Sequence, residues 1–297
     1  MLDVSKVNFE LKFETRTVLP RWMGSTFRGG FGIHLRRASC IESRSDCKTC
    51  SARDDCLFYH LYERENAKKG HAPPVRPIII VPPFFGKRMD LDAGSKLNLD
   101  MLFFGAFSRY LPHVLVAMKL FGETGIGSLR RYGLNTFTVE GVNCGFSGRE
   151  IYDGNTINIS NLKTTDLIDV PRFKRKSVQV GFKTPIILKT VVFPPSPEQL
   201  LALIRSRLLL YVNEYGTSER VPHYNCSGVV IEVAKHFQRL ERRSRRGGAQ
   251  EFAGFTGIAD YVFDELDDAS DWLISVGSIT GGGPKSAFGC GFLDVQL

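Results

Sequence analysis

The chain opens on a strict alternation. Val7, Phe9, Leu11 and Phe13 are apolar, and Asn8, Glu10, Lys12 and Glu14 stand between them. A period of two buries one side of a strand and wets the other, so Val4 to Thr17 reads as a half-buried strand and not as a signal peptide. From Trp22 to Ser39 the period changes. Phe27, Phe31, Leu35 and Ala38 recur at helical spacing, although Gly29, Gly30 and Gly32 weaken a helix there. Pro77 to Val81 reads as a buried strand. Tyr110 to Phe121 reads as a helix, with Pro112 tolerated in its first turn.

The second half repeats this order. Gln179 to Phe193 is strand-like. Ser196 then has the features of a helix N-cap, with Pro197 at the first helical position and Gln199 where a capping box needs it. Leu200, Leu201, Ile204, Leu208 and Val212 line one face of the helix that follows. Val229 to Val233 and Phe252 to Phe263 read as strands, and Asp267 to Gly277 as a short helix.

Each half closes on a glycine-rich segment, GIGSLRRYGLNTFTV from Gly125 and GGGPKSAFGCGFLDV from Gly281. Gly127 falls on Gly283, Tyr132 on Phe288 and Gly133 on Gly289. Two such loops at equal spacing, each ending a segment of domain size, point to a duplication. The fold expected is α+β: two tandem ferredoxin-like β-α-β-β-α-β domains. Their bounds are 1–142, with a Cys-rich insertion at about 40–56, and 179–297. A linker with a turn-rich insertion fills 143–178.

Length and composition agree. The 297 residues suffice for two domains, and 43% hydrophobic residues suffice for two modest cores. The longest apolar runs, such as Leu208 to Val212, are far too short to span a membrane. With no export signal, a cytoplasmic protein with reduced or metal-bound thiols is expected. The net charge is +8, and it is clustered: Arg172, Lys174, Arg175 and Lys176 form one group, and Lys235, Arg239, Arg242, Arg243, Arg245 and Arg246 another. Such clustering favours a polyanionic partner, nucleic acid before membrane lipid, since neither cluster lies on an amphipathic helix.

Three groups of residues carry candidate chemistry. Glycine loops let backbone N–H groups approach phosphate. Gly281, Gly282, Gly283, Gly289 and Gly291, with Lys285, form one such loop. Arg130 and Arg131 accompany the other, where Tyr132 could add a stacking ring, but Tyr132 and Phe288 are expected to be core residues. Cys40, Cys47, Cys50 and Cys56 have the spacing of a tetrahedral zinc site, with an iron–sulfur cluster or free thiols as alternatives. Four protein ligands would make such a zinc structural. Cys144, Cys226 and Cys290 are isolated and suit buried positions.

The ordered set FRGGFGIHLRRASC, RPIIIVPP, YLPHVLVAMKLFGETGIGSLRRYG, KTPIILK, EFAGFTGIADYVF and GGGPKSAFGCG spans nearly the whole chain. It resembles the repeat-associated RNA-binding (RAMP) superfamily of CRISPR systems, and within it the endoribonucleases that process precursor crRNA. The resemblance implies two ferredoxin-like folds facing a basic cleft and glycine loops on the RNA backbone. It also implies metal-independent cleavage within CRISPR repeats to give mature guide RNA, with no catalytic cofactor. It implies partnership with other CRISPR effector subunits. It places the catalytic histidine at His34, beside Arg36 and Arg37. The bland reading of His34 is a core residue on the face of Phe27 and Ala38. His223 is the alternative catalyst. His60, His71, His113 and His236 read as structural or surface residues. A non-catalytic guide-RNA-binding subunit of the same superfamily is the competing function, and an RNA-binding scaffold unrelated to CRISPR is the third.

Overall fold

β1 (Asp3–Phe13) buries Val7, Phe9, Leu11 and Phe13 completely and leaves the residues between them half-buried, as the alternation requires. The computed structural model describes residues 1–42, 46–65, 73–217, 220–244 and 248–296. His71, Arg245 and Arg246, named above, lie outside the described residues. The chain divides into two units, 4–164 and 165–297, the second also including residues 1–3. The segment read as a linker is therefore shared, with 143–164 in the first unit and 165–178 in the second.

After β1 the first unit runs β2 (Thr17–Leu19), α1 (Gly24–Ser39), β3 (Ile78–Val81), β4 (Met89–Leu91) and β5 (Lys96–Phe104). It then continues through α2 (Leu111–Thr124), β6 (Phe137–Cys144) and β7 (Glu150–Tyr152). The main sheet has the order β3-β5-β1-β6-β7. Its first four members are the β-α-β-β-α-β strands in ferredoxin-like order, with the first strand between the third and the fourth. β5 pairs with β1 from Val4↔Phe104 to Lys12↔Lys96. The sequence reading passed over β5. Leu97, Leu99 and Met101 alternate properly, but Met101 to Phe104 are all buried, and that run breaks the period of two.

Two of the α1 glycines are packing devices, whereas Gly29 faces open space. A Cβ on Gly30 would lie 2.4 Å from the Phe121 ring of α2, and one on Gly32 would lie 2.6 Å from the Tyr62 ring. Arg28 stacks on Tyr62 at 4.4 Å and receives the Tyr62 hydroxyl on its carbonyl oxygen. Phe27, Phe121 and Phe137 meet at centroid distances of 5.2 to 6.5 Å. On α2, Gly122 faces β6 so closely that a Cβ would stand 2.0 Å from the Phe137 carbonyl oxygen. Backbone cannot yield as a side-chain tip can, so Gly122→Ala will destabilise the fold by about 1–3 kcal/mol. Denaturant unfolding measures this, and an unchanged midpoint would refute the close packing.

β8 (Thr164–Asp166) spans the division. The second unit continues with β9 (Ser177–Ile186), α3 (Pro197–Tyr215), β10 (Cys226–Ser244), β11 (Gly248–Leu266), α4 (Asp268–Thr280) and β12 (Leu293–Gln296). The sheet order β10-β11-β9-β12 is the same ferredoxin-like order again. The capping box at Ser196 and Gln199 forms as expected. Three strand readings need correction. β9 ends at Ile186, not Phe193. β10 and β11 are 19 residues each, because the hairpin continues well past the end of β9, whose pairing with β11 covers only Phe255 to Val262. Lys235, Arg239, Arg242 and Arg243 of the second basic cluster therefore lie along β10, an edge strand. Trp272, Tyr261, Tyr211, Phe182 and Phe193 fill this unit's core. Among the described residues no helix is long and apolar enough to cross a membrane.

Candidate functional site

The two glycine loops have matching backbones. Left-handed or related positive-φ conformations occur at Gly125, Gly127, Gly133 and Asn135, and again at Gly281, Gly283, Gly289 and Gly291, at the same spacing. The N–H of Ile126 bonds the carbonyl of Asn135, and the N–H of Gly282 bonds that of Gly291. Each loop leaves the C-terminus of its helix, makes one 3-10 turn and enters the strand that follows, β6 in the first unit and β12 in the second.

In the first loop, Asn135 is buried and holds the turn from within. Its Nδ2 donates to the carbonyls of Ile126 (2.8 Å) and Val18 (3.0 Å), and its Oδ1 accepts from the Val18 N–H (2.9 Å). Tyr132 is not a core residue. It is 64% exposed, with the Arg131 guanidinium 4.7 Å from its ring. Exposed Arg131 and half-buried Arg130 are the cations of this loop.

In the second loop Lys285 has φ of 65° and lies at the exposed crest, with Nζ 5.8 Å from the Phe252 ring of β11. Phe288 is half-buried rather than core, and Arg242 of β10 stacks on it at 4.5 Å. The far end of the long hairpin therefore supplies cations and rings beside the loop. That pairing of charge with aromatic faces suits a phosphate backbone carrying stacked bases.

His34 lies on α1, 1% exposed, its ring stacked on Phe121 at 5.6 Å. Its Nδ1 is buried and has no hydrogen-bond partner among the described residues. Burial, then the charges of Arg37 and Arg130, hold the imidazole below its ordinary value of 6.5, while Glu123 pulls the other way. So the first unit gathers His34, Arg37 and Arg130. Arg36 turns away onto the Phe58 ring, 5.6 Å off. Lys285 and its glycines belong to the other unit.

The four cysteines of the insertion are half-buried free thiols. Cys40 ends α1, Cys47 and Cys50 lie in a turn, and Cys56 follows the 3-10 helix Arg53–Asp55. Burial raises the Cys47 thiol, Arg36 opposes this, and Glu63, Cys40 and Cys56 add to it. Among the described residues no three His, Cys, Asp or Glu side chains are grouped to hold an ion. The zinc suggested by their spacing is therefore without support from the described residues. Cys144, Cys226 and Cys290 are buried, as expected.

Comparison with known proteins gives a family. The N-terminal domain of the AF_1859 family matches residues 2–164, and its C-terminal domain matches residues 178–295. An uncharacterized protein of Archaeoglobus fulgidus is 37% identical over 279 residues, covering 94% of this chain and 93% of the relative. The chain belongs to the AF_1859 family. Solved structures extend the likeness in fold. A Cas6 product complex aligns with a TM-score of 0.56 at 16% identity over 99% of each chain. Thermus thermophilus Cas6 aligns at 0.54 and 14% identity, over 100% of this chain and 99% of the other. A RAMP protein binding different RNA substrates aligns at 0.51 and 13% identity, over 99% of this chain and 100% of the other. This AF_1859 protein thus has the tandem ferredoxin-like fold of the Cas6 and RAMP proteins.

Of the other histidines in this AF_1859 chain, exposed His223 borders an open depression of about 570 Å³ with Arg205, Asn213 and Arg220. His60 directs Nε2 at the Asp54 carbonyl (2.7 Å), and His236 is exposed on β10. Sequence reasoning missed Asn135, Phe252 and above all Arg207. Arg207 carried a legible signal. It interrupts the apolar face of α3, between Ile204 and Tyr211, where a cation is out of place.

Proposed function

We propose that this protein binds CRISPR repeat RNA and cuts it by attack of a ribose 2′-hydroxyl on the adjacent phosphate. The observation that carries this reading is His34: a buried imidazole with an unpartnered nitrogen, next to two arginines, in a protein with the Cas6 fold. A buried polar atom without a partner costs stability, and such atoms concentrate where chemistry uses them. The lowered basicity keeps the ring neutral at pH 7, which suits a proton acceptor better than a donor. As the 2′-oxygen bonds to phosphorus, its proton passes to the imidazole. Arg37 and Arg130 are the nearby cations that would oppose the charge gathering on the phosphorane oxygens. The P–O5′ bond breaks, the 5′-oxygen takes up a proton from water, the imidazolium returns its proton to solvent, and a 2′,3′-cyclic phosphate and a 5′-hydroxyl result.

The second reading is a RAMP-type subunit that holds guide RNA within an effector complex without cutting it. The 1% exposure of His34 favours it, since a base must reach its proton. Single-turnover cleavage of a repeat RNA in excess chelator separates the two. The first reading expects cutting at an undiminished rate with a cyclic-phosphate end. Cutting that stops with chelator overturns the metal-independent mechanism, and tight binding without cutting leaves the second reading.

A further inference from the structure

Arg207 is 2% exposed in the middle of α3, and its guanidinium lies under the second glycine loop. Nε donates to the carbonyl of Gly283 (2.7 Å). Nη1 donates to Thr280 (3.0 Å) and Gly291 (3.4 Å), and Nη2 to Cys290 (2.7 Å) and Pro284 (3.4 Å). A guanidinium has five N–H donors in a rigid fork. Here all five contacts are to backbone carbonyls of one segment, residues 280–291. The fit leaves no slack, for a Cβ on either Gly281 or Gly291 would come within 2.6 Å of the guanidinium nitrogens.

Among the described residues the cation has no acidic partner. Among the described residues Arg207 forms no ion pair, and the ionisable groups that act on it are Tyr211 and Cys290. Burial lowers its pKa to about 10, so it stays charged at neutral pH. An apolar side chain of similar length would fill the space at less desolvation cost. The first loop keeps the same backbone shape with the neutral amide of Asn135. Shape alone therefore does not call for a charge, yet the second loop is built on one.

Resting on the RNA-binding reading above, we propose that Arg207 is a positioning residue for the RNA backbone. It draws the loop's carbonyl oxygens inward, away from an approaching phosphodiester. It also leaves an uncompensated positive charge beneath the crest that carries Lys285. It acts on RNA through the loop and touches none itself.

The test is repeat-RNA affinity of full-length wild type, Arg207→Ala and Arg207→Lys, with thermal unfolding of each and with methylguanidinium titrated into the alanine variant. Arg207→Ala is expected to bind ~10-fold or more weakly, because the loop loses the charge-assisted donors that hold its carbonyls inward. Methylguanidinium should restore part of that affinity, which it would not do for a residue that only fills space. Arg207→Lys keeps the charge but not the fork, and should fall between alanine and wild type. If Arg207→Ala does not fold, Arg207→Lys decides: folded and weaker supports the proposal, folded and equal to wild type overturns it. Folded Arg207→Ala with wild-type affinity, or loss that methylguanidinium leaves unchanged, also overturns it, as does failure of both variants to fold. Wild type that binds no repeat RNA removes the RNA-binding reading itself, and is distinguished from these outcomes by the wild-type measurement alone.

Discussion

Replacing His34 with alanine is expected to slow single-turnover cleavage of repeat RNA by ~10²- to 10⁴-fold while leaving RNA affinity within a few-fold of wild type. The size follows from its role, since a base assists only as the proton moves and contributes little to ground-state binding. The ring also packs on Phe121, so alanine opens a hole in the core of the first unit. His34→Phe is the companion variant, because it keeps an aromatic ring against Phe121 and removes the base. Both variants should lose cleavage equally although their stabilities differ. The pH profile adds a readout that packing cannot imitate. Burial holds the imidazole below its ordinary value of 6.5, so the wild-type rate should stay level as pH falls through 6.5 and drop only below it. Stability follows the same sign. The folded value lies below the unfolded one, so the stabilising difference is present above about 6.5 and is lost as pH falls through the folded value. His34→Phe should flatten that dependence. A folded variant that cuts as fast as wild type removes His34 from the chemistry and directs attention to His223.

Affinity for repeat RNA should collapse with salt. Each phosphate neutralised by lysine or arginine releases condensed counterions, so six to ten such contacts would lower affinity by ~10³- to 10⁵-fold between about 50 and 200 mM salt. The motive is the +8 net charge, with Lys235, Arg239 and Arg242 along β10 and Lys285 at the loop crest. Lys285→Ala should weaken binding to all repeat sequences alike and reduce the salt slope by roughly one contact. Arg131→Ala tests the other loop in the same way. Affinity that is level across this range would sink the RNA-binding reading whatever becomes of His34.

The duplicated fold was legible because its strongest signals are local. Alternation set β1, the capping box set the start of α3, and the repeated glycine spacing gave both loops. What escaped depended on the third dimension. β5 was hidden because its second half is buried on both faces. The reach of β10 and β11 was hidden because a hairpin supports itself beyond its sheet, and the polar residues in that stretch break the apolar pattern. The candidate site was read unevenly. Lys285, Arg130, Arg131 and His34 came from residue type and resemblance. Tyr132, with core as its bland reading, is exposed, because an aromatic residue in a glycine loop has no periodicity to tell in from out. The cysteine spacing suggested a metal, but among the described residues no group able to hold one is found.

The matched loops differ in where their anchor comes from, and that difference constrains how either could change. At Asn135 the anchoring side chain grows out of the turn itself. At the equivalent Gly291 a Cβ would stand 2.1 Å from the Gly282 carbonyl oxygen and 2.6 Å from Arg207. A side chain at 291 therefore meets both the loop's own backbone and the arginine, so an internal amide there needs the loop to shift as well as the cation to leave. A lineage that gained a side chain at 291 would have to surrender the arginine at 207 in the same step or close to it. These two positions, far apart in the chain, should therefore be inherited as a pair.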